Sequence, residues 1–320
     1  MRPRYARPRA HTFVFNPRRQ RPNIWAIAFF AVLFVIGAVH LISYAVDYHQ
    51  AQQASAALRE AYYAEEVTES PFPTQLPQET PEPTGTPALS ATPNVTATPP
   101  TVLETVHYPG NYNANVSSHF QKIRRQNKDI IGWLTIDDLI DEAVVQRDNE
   151  YYLDRDYRGY HNVNGAIFLD ESCDLSTRPY TLMLYGHNMK TGTMFGGLRN
   201  YENLTFYKNN PFITFDTAYE DGRYVIFAVG TVSTNPSSWK YVGFTKLCSS
   251  NISYREAALK ALTRRSVYSS SIEVSVDDQL LLLITCVDDD GERRVIVARR
   301  IREDENEETL EKLIRRTTRK

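Results

Sequence analysis

A cysteine and a histidine that each close an apolar run are the residues of this chain best suited to nucleophilic chemistry. Cys286 closes the run LLLLITC and precedes the polar turn VDDDGER, and His187 closes the run TLMLYGH. Each run is typical of a buried strand, and a strand end holds a reactive side chain on a rigid support. A thiol becomes a nucleophile when a neighbouring imidazole takes its proton. The pair indicates covalent catalysis, with Cys286 as nucleophile and His187 as its proton-transfer partner.

Each of these residues alone has an ordinary structural explanation. A single cysteine at a strand end is about as often structural as reactive, and a single histidine is more often a satisfied polar group. Two residues of complementary chemistry favour catalysis. The chain has only three cysteines, Cys173, Cys248 and Cys286, and an odd count leaves at least one thiol unpaired within the monomer. The count indicates a reactive thiol and not a disulfide scaffold.

Two adjacent arginines follow the turn that leaves Cys286. Arg293 and Arg294 begin the run RRVIVARRI, so the two runs are expected to form a hairpin that brings a guanidinium near the thiol. A fixed cation there would favour the thiolate and stabilise the oxyanion that forms when it attacks a carbonyl. Successive strand residues point to opposite faces, so only one arginine can lie beside the thiol. The other is expected to be a solvated edge residue.

Short runs rich in Val, Ile, Leu and aromatic residues are the elements that would position this chemistry. Many short strands with few helices favour a mainly β fold, a closed or nearly closed β-barrel. Helices are predicted at Ser117–Asn127 and, from apolar residues at helical spacing, at Ser253–Arg265. The predicted strands are Gly132–Ile136, Ala143–Gln146, Ala166–Leu169, Tyr180–Tyr185, Phe212–Phe215, Arg223–Ser233, Ile272–Val276, Leu280–Thr285 and Arg294–Ile301.

The N-terminal part of the chain has the pattern of a membrane anchor. Residues 24–46 carry no charged side chain, and about 20 apolar residues cross the hydrocarbon core as a helix. Seven arginines and no acid lie in residues 1–23, so the N-terminus is expected in the cytoplasm and the rest outside. We therefore predict a single-pass protein of the cell membrane with an extracytoplasmic catalytic domain. A cleaved signal peptide is the alternative.

A change of composition separates the anchor from the globular part. Residues 47–66 have helical composition, and nine prolines then fall between Pro71 and Pro100. Such a stretch cannot bury apolar surface, which is typical of an extended spacer. We predict a helix and spacer over 47–110, a catalytic domain over 111–303 and a charged tail over 304–320 that forms a peripheral helix or a frayed end.

Overall charge and missing motifs exclude several other functions. The chain has 36 basic and 38 acidic residues, a balance that argues against a nucleic-acid binder. It contains no Walker loop, GxSxG, CxxC or HExxH pattern. The glycine cluster KTGTMFGG does not fit a dinucleotide fingerprint and is more typical of a tight loop.

These motifs together resemble the class B sortases. The resemblance rests on TLMLYGHNMKTGTMFGGL around His187, on LLLITC ending at Cys286 and on RRVIVARRI, with support from NKDIIGWLTID, AVVQRDNEYYL and NGAIFLD. The block YGHNM…GTMFG is its most specific part. The resemblance covers residues 127–301 and implies a sortase-like barrel with helix 253–265 in a late strand connection.

The resemblance also implies which residues are catalytic. His187 and Cys286 match the histidine and cysteine of the family. Arg293 matches the family arginine when the family pattern is laid on RRVIVAR. This sequence departs from the pattern with a second arginine at the next position, so Arg294 is the alternative.

Further residues are expected to assist the catalytic ones. Asp288 matches an acidic position that is accessory to the histidine, and the backbone N–H of Val287 would join the arginine at the oxyanion. Asn188 and Thr285 are expected to contact substrate. No metal or other cofactor is implied, since Cys286 and His187 alone do not make a ligand set.

The implied activity is the attachment of exported proteins to the cell wall. The thiolate would attack a Thr carbonyl in a C-terminal sorting signal, and the thioacyl enzyme would be resolved by an amine of a cell-wall peptide or a peptidoglycan precursor. The expected partners are secreted proteins bearing that signal, the amine acceptor and the membrane, with no nucleic acid. The alternatives are a pilin-polymerising transpeptidase and a non-catalytic wall or adhesion module.

Overall fold

The structure is a computed structural model that describes residues 24–64, 116–175, 179–287 and 291–320. It divides into two compact units, of which the first ends at Gln50 and the second comprises Ala51–Lys320. The first unit contains the start of helix α1, Ile24–Tyr63, whose apolar side chains are exposed. By length and composition this helix could cross a membrane.

The second unit is built around a closed β-barrel, as the sequence predicts. Eight strands form it in the order β1-β2-β3-β4-β8-β9-β6-β5, and β5 pairs with β1 to close the ring. A separate two-stranded sheet joins β7 to β10. The strands are β1 Ile130–Ile136, β2 Ile140–Val145, β3 Ile167–Leu169, β4 Thr181–Tyr185, β5 Phe212–Thr217, β6 Arg223–Ser233, β7 Tyr268–Ser269, β8 Leu280–Cys286, β9 Glu292–Arg300 and β10 Thr318–Arg319.

Strands β4 and β8 run side by side in parallel. Thr181 lies opposite Leu280, and Tyr185 lies opposite Ile284. The first six residues of β8 are all buried, which explains its continuous apolar sequence, because such a strand is covered on both faces. The parallel pairing brings the C-terminal ends of both strands to the same rim of the barrel. Cys286 is the last residue of β8, and His187 lies two residues beyond the end of β4.

The helices agree with the sequence in type and differ in extent. The helix predicted at Ser253–Arg265 is α4, Ile252–Arg265, which lies between β6 and β8. Its N-terminus is capped by the Asn251 side chain, which accepts a hydrogen bond from the Ser253 N–H. The helix predicted at Ser117–Asn127 is shorter, α2 Ser118–Ile123. A further short helix, α3 Leu204–Asn209, precedes β5.

The strand predicted at Ile272–Val276 does not form, so that prediction is wrong. Ile272 is buried in the core, which accounts for the apolar pattern. The backbone here pairs with side chains and not with a neighbouring strand: the Glu273 carbonyl accepts from the Arg299 guanidinium, and the Ser275 N–H donates to the Asp278 carboxylate. Backbone groups that are hydrogen-bonded to side chains do not need the inter-strand hydrogen bonds of a sheet.

The C-terminal residues form a helix, which was one of the two predicted alternatives, and they belong to the folded domain. Helix α5, Glu307–Arg315, buries Leu310 and Ile314 in the barrel's main apolar core. Strand β10 then pairs with β7. The tail over 304–320 is therefore a packed helix and strand and not a frayed end.

The last part of α1 packs on the barrel. The Tyr62 ring stacks on Trp133 of β1, with ring centroids 4.3 Å apart and planes 7° from parallel. The Tyr62 hydroxyl donates to the Asp216 carboxylate at 3.0 Å, and Leu58 is 1% exposed. Arg59 donates to the Asp141 carbonyl at 2.7 Å. Residues 51–63 thus form part of the domain, which the prediction placed only after residue 110.

The Pro-rich segment predicted as a spacer lies outside the described residues, but both of its flanks are described. The backbone carbonyl of Tyr62 lies 3.0 Å from Nδ1 of His119, so the chain is held at the same place on the domain before and after the segment. Tyr62 and His119, on either side of residues 65–115, are therefore in contact within the second unit.

We predict that Leu310→Ala lowers the free energy of unfolding by about 2–5 kcal/mol, because it removes a fully buried side chain and leaves a cavity. Thr309→Ala is the matched control on the exposed face of α5 and should change stability by no more than about 0.5 kcal/mol. Urea unfolding followed by tryptophan fluorescence measures both. Equal stability of the two variants would contradict the packing of the C-terminal residues into the core.

Candidate active site

One pocket at the barrel rim contains the three residues to which the sequence assigns the chemistry. His187, Cys286 and Arg293 line it, and its volume is about 270 Å³. Cys286 is exposed to solvent, whereas Cys173 is buried and Cys248 is half-buried. Of the three thiols, Cys286 is therefore the one that a substrate can reach directly.

The hairpin of β8 and β9 determines which arginine accompanies Cys286. Cys286 lies directly opposite Arg293 in the antiparallel register, and Thr285 lies opposite Arg294. Directly opposed residues project from the same face of a sheet, about 5 Å apart at Cβ. Arg293 accordingly shares the pocket with the thiol, and Arg294 does not line it.

Arg294 has a different partner. Its guanidinium is buried and donates two hydrogen bonds to Glu202, with Nη2 2.6 Å and Nε 3.2 Å from Oε1. Glu202 lies in the 3-10 helix Gly196–Glu202, so this ion pair joins β9 to the segment that follows the His187 loop. Sequence spacing left the choice between the two arginines open. The ion pair with Glu202 indicates that Arg294 has a structural role.

A backbone carbonyl orients the imidazole of His187. The ring nitrogen Nε2 lies 2.6 Å from the Leu153 carbonyl oxygen. A carbonyl can only accept, so Nε2 carries a proton in this arrangement. The other ring nitrogen, Nδ1, is then the one left for proton transfer. Leu153 ends the short 3-10 helix Tyr151–Leu153, and its side chain also lines the pocket.

The sequence block around His187 folds into a compact loop, which explains its composition. The His187 carbonyl accepts the Phe195 N–H at 3.0 Å, and Asn188 forms an isolated β-bridge with Met194. A Cβ atom at Gly186 would lie 2.9 Å from the Phe195 ring. A Cβ at Gly196 would lie 2.0 Å from the Met189 carbonyl oxygen, so only glycine fits there. The glycines thus allow the close approach that holds His187 at the rim, as expected of a tight loop.

Four further residues were predicted to assist catalysis or to contact substrate, and the structure describes three of them. The Thr285 side chain is buried, and its hydroxyl donates to the Gly186 carbonyl at 2.6 Å, which ties the ends of β8 and β4 together. The Val287 N–H donates to the Glu292 carbonyl at 3.0 Å and closes the hairpin, so it is already paired and not free for an oxyanion. Asn188 is half-buried on the loop and does not line the pocket. Asp288 lies outside the described residues.

The pocket walls include residues that the sequence did not single out. Tyr152 and Tyr185 contribute aromatic surface, and burial raises the pKa of both phenols, so they remain uncharged at neutral pH. The Tyr152 hydroxyl donates to the Asp129 carboxylate at 2.8 Å. The other wall residues are Asn149, Leu153, Ala166, Phe168, Gly186, Ile284 and Thr285. Tyr152 of NEYYL and Tyr185 of TLMLYGH were visible in the sequence, but nothing in their spacing related them to Cys286.

The site therefore combines an exposed thiol, an oriented imidazole and a fixed cation beside apolar walls. This set can attack a carbonyl, protonate a leaving amine and stabilise the negative charge on oxygen. Within the described part of the chain no group of three or more His, Cys, Asp or Glu side chains is arranged to hold a metal ion.

The fold is that of the sortases, which are cysteine transpeptidases. A family model described as Sortase domain matches residues 134–301, more than half of the chain, so this protein belongs to the sortase family. Sortase B of Listeria monocytogenes is 32% identical over 173 residues, which are 53% of this chain and 68% of that protein. The predicted membership in class B and the predicted enzyme type are confirmed.

Solved structures agree with this assignment. A protein of Bacillus anthracis similar to sortase B superimposes with a TM-score of 0.57 at 25% identity, covering 79% of this chain and 97% of that one. A sortase B–substrate complex of Staphylococcus aureus superimposes with a TM-score of 0.52 at 28% identity, covering 59% of this chain and 88% of that one.

We predict that the two arginines respond oppositely to substitution. Arg293→Ala should lower turnover on the order of 10²–10³-fold, as for loss of an oxyanion donor, with little change in stability. Arg294→Ala should keep most turnover but lower the free energy of unfolding by about 1–2 kcal/mol, because it removes a buried guanidinium and its bonds to Glu202. Steady-state kinetics and thermal unfolding of both variants test this. The reverse pattern would show that Arg294 is the catalytic cation.

Proposed function

We propose that this protein is a membrane-anchored class B sortase that joins exported proteins to a cell-wall amine through a thioacyl intermediate on Cys286. Cys286 attacks the carbonyl of a Thr in a C-terminal sorting signal and expels the downstream peptide as an amine. An amine of a cell-wall peptide or peptidoglycan precursor then attacks the thioester and releases the joined product. The pocket that Cys286, His187 and Arg293 share is the observation that carries the proposal.

His187 moves the proton in each half of the reaction. As the peptide bond breaks, its imidazolium donates a proton to the leaving nitrogen, and as the thioester is resolved the neutral ring takes a proton from the incoming amine. Because Nε2 donates to the Leu153 carbonyl, we assign the transfer to Nδ1. The hydrogen bond to Leu153 holds the orientation of the ring during both transfers.

Arg293 supports both the thiolate and the oxyanion. Its guanidinium projects from the same face of the hairpin as the sulfur, and it stays charged at any physiological pH. The Val287 N–H closes the hairpin, so in this mechanism Arg293 is the oxyanion donor contributed by β9. Arg293→Lys should restore activity only in part, because lysine keeps the charge but lacks the planar fork.

The residues before the barrel support an extracytoplasmic location. The apolar start of α1 could span a membrane, and the arginines of residues 1–23 would remain on the cytoplasmic side. The barrel would then lie outside the cell, where secreted proteins and cell-wall amines are found. A pilin-polymerising activity would use the same thioacyl enzyme with a Lys amine as acceptor.

We expect Cys286→Ala to keep the fold and to lose all cleavage of sorting-signal peptides. Incubation of the parent with a panel of such peptides, followed by mass spectrometry, should reveal a thioacyl adduct on the peptide that contains Cys286. Cys248→Ser is the matched control, since that thiol lies outside the pocket, and should keep most activity. Cleavage by Cys286→Ala comparable to the parent would refute Cys286 as the nucleophile, whereas absence of cleavage by the parent would favour a non-catalytic module. Adding cell-wall peptide amines or pilin Lys peptides to the assay separates the two transpeptidase activities.

A separate experiment tests topology and docking. Protease added to intact cells should cut between Pro71 and Pro100, and the catalytic domain should stay with the cells, because residues 51–63 remain packed on it through Leu58, Tyr62 and Arg59. Tyr62→Ala, which removes the stack on Trp133 and the bond to Asp216, should increase release of the cut domain. Cutting only after lysis would contradict the orientation, and full release of the parent domain would contradict the docking.

A further inference from the structure

A second pair of reactive groups lies away from the active site. Cys173 follows β3, and Cys248 follows the 3-10 helix Phe244–Lys246 ahead of α4. Cys173 belongs to the main apolar core of the barrel, and Cys248 packs against the same core. Cys173 is 1% exposed, whereas Cys248 is half-buried and within reach of a small molecule. The sortase mechanism uses neither of them.

Contacts that do not involve the Cys248 thiol hold the two segments together. The Thr181 carbonyl lies 3.4 Å from the Cys173 sulfur, and the Thr181 hydroxyl donates to the Leu247 carbonyl at 3.1 Å. On the other side, the Gln146 side chain donates to the Cys173 carbonyl at 2.8 Å. The start of β4 thus holds both cysteines in place, so the thiols are neighbours before any bond joins them.

We propose that Cys173 and Cys248 are a redox site that closes to an intramolecular disulfide when the protein meets an external disulfide oxidant. The thiolate of Cys248 attacks the oxidant RSSR, forms a mixed disulfide and expels one RS⁻. The Cys173 thiolate then attacks the Cys248 sulfur and expels the second RS⁻. The two protons of the cysteines go to the two leaving thiolates, so the protein is oxidised by two electrons and RSSR is reduced to two RSH.

The environment of each thiol gives this order of events. Cys248 is the more accessible of the two sulfurs, and the neighbouring Cys173 lowers the pKa of Cys248, which favours the thiolate there. The neighbouring Cys248 and burial raise the pKa of Cys173, whose S–H donates to the Thr181 carbonyl, and both effects favour its protonated form. An accessible thiol with a depressed pKa beside a buried second thiol is the arrangement of an attacking and a resolving cysteine.

The pair is well separated from the nucleophile. Cys173 contacts Thr181 at the start of β4, whereas His187 follows its end, and Cys286 is six residues beyond Leu280, the partner of Thr181 in β8. At about 3.3 Å per residue, the pair and Cys286 lie on the order of 20 Å apart along the barrel. Oxidation of the pair therefore leaves the Cys286 thiol free, which an exported thiol enzyme requires.

Closing the bond would link the chain across β4, β5 and β6. The ring contains about 75 residues, including the His187 loop, and a cross-link of that length strongly restricts the unfolded chain. We expect the oxidised domain to melt about 5–10 °C above the reduced one. The inference extends beyond the proposed transpeptidation, and its test does not depend on a sorting peptide.

The test uses the full chain with Cys286→Ala, so that only the pair can react. The protein in detergent is incubated with oxidised glutathione, free thiols are alkylated, and peptides are mapped without reduction. The proposal predicts one species in which peptides containing Cys173 and Cys248 are joined, two hydrogens lighter than the reduced pair, together with the rise in melting temperature. Dithiothreitol should reverse both.

Two outcomes would overturn the proposal. Alkylation of both thiols after treatment of the folded protein would show that they do not join, and a stable glutathione adduct on Cys248 would show that Cys173 does not resolve it. Cys248→Ser in the same background is the control, and its melting temperature should not respond to oxidised glutathione. If that variant unfolds, thiol titration of the Cys286→Ala protein in denaturant still decides, because its oxidised form should have no free thiol and its reduced form two.

Discussion

The parallel pairing of β4 with β8 is the constraint on which the rest of this structure depends. The two strands are far apart in the chain: Cys286 is the last residue of β8, and His187 lies just beyond the end of β4. Parallel neighbours end at the same edge of a sheet, so pairing Tyr185 with Ile284 brings His187 and Cys286 to one rim. A pairing in the opposite direction would place them at opposite ends of the barrel. The apolar sequences of both strands stabilise this arrangement, since each is buried against its neighbours.

The environment of the thiol depends on the β8–β9 hairpin in the same way. Its register places Arg293 opposite Cys286 and Arg294 opposite Thr285. A slip of one residue would exchange the faces of the two arginines. The ion pair between Arg294 and Glu202 opposes such a slip, because it would leave a buried guanidinium without its carboxylate. The hydrogen bond from the Val287 N–H to the Glu292 carbonyl stabilises the same register at the turn. Because of this bond, the Val287 N–H is not free to bind an oxyanion.

Local patterns in the sequence were sufficient to predict the barrel, the helix at α4 and the positions of Cys286 and His187 at strand ends, whereas the choice of Arg293 over Arg294 rested on the resemblance to the sortases. Those predictions succeeded because apolar runs and the polar residues at their ends are properties of single segments. The pairing of Arg294 with Glu202 and the orientation of His187 by Leu153 could not be predicted, since the first joins distant segments and the second uses a backbone carbonyl. The strand predicted at Ile272–Val276 failed because apolar alternation also fits an irregular segment packed on a core. A helix was one of the two alternatives for the C-terminal residues, but its packing could not be predicted, because the stripe of Leu310 and Ile314 does not show which surface it packs against.

In the proposed mechanism Cys286, His187 and Arg293 act on one carbonyl group. The most direct test is a crystal structure of the enzyme with a sorting-signal peptide mimic joined to Cys286 through its scissile position. We expect the Arg293 guanidinium to donate to the carbonyl oxygen of the mimic, Nδ1 of His187 to face the leaving-group side, and Arg294 to keep its hydrogen bonds to Glu202. A structure in which Arg294 contacts that oxygen while Arg293 points to solvent, or in which His187 lies beyond reach of the scissile bond, would contradict this mechanism.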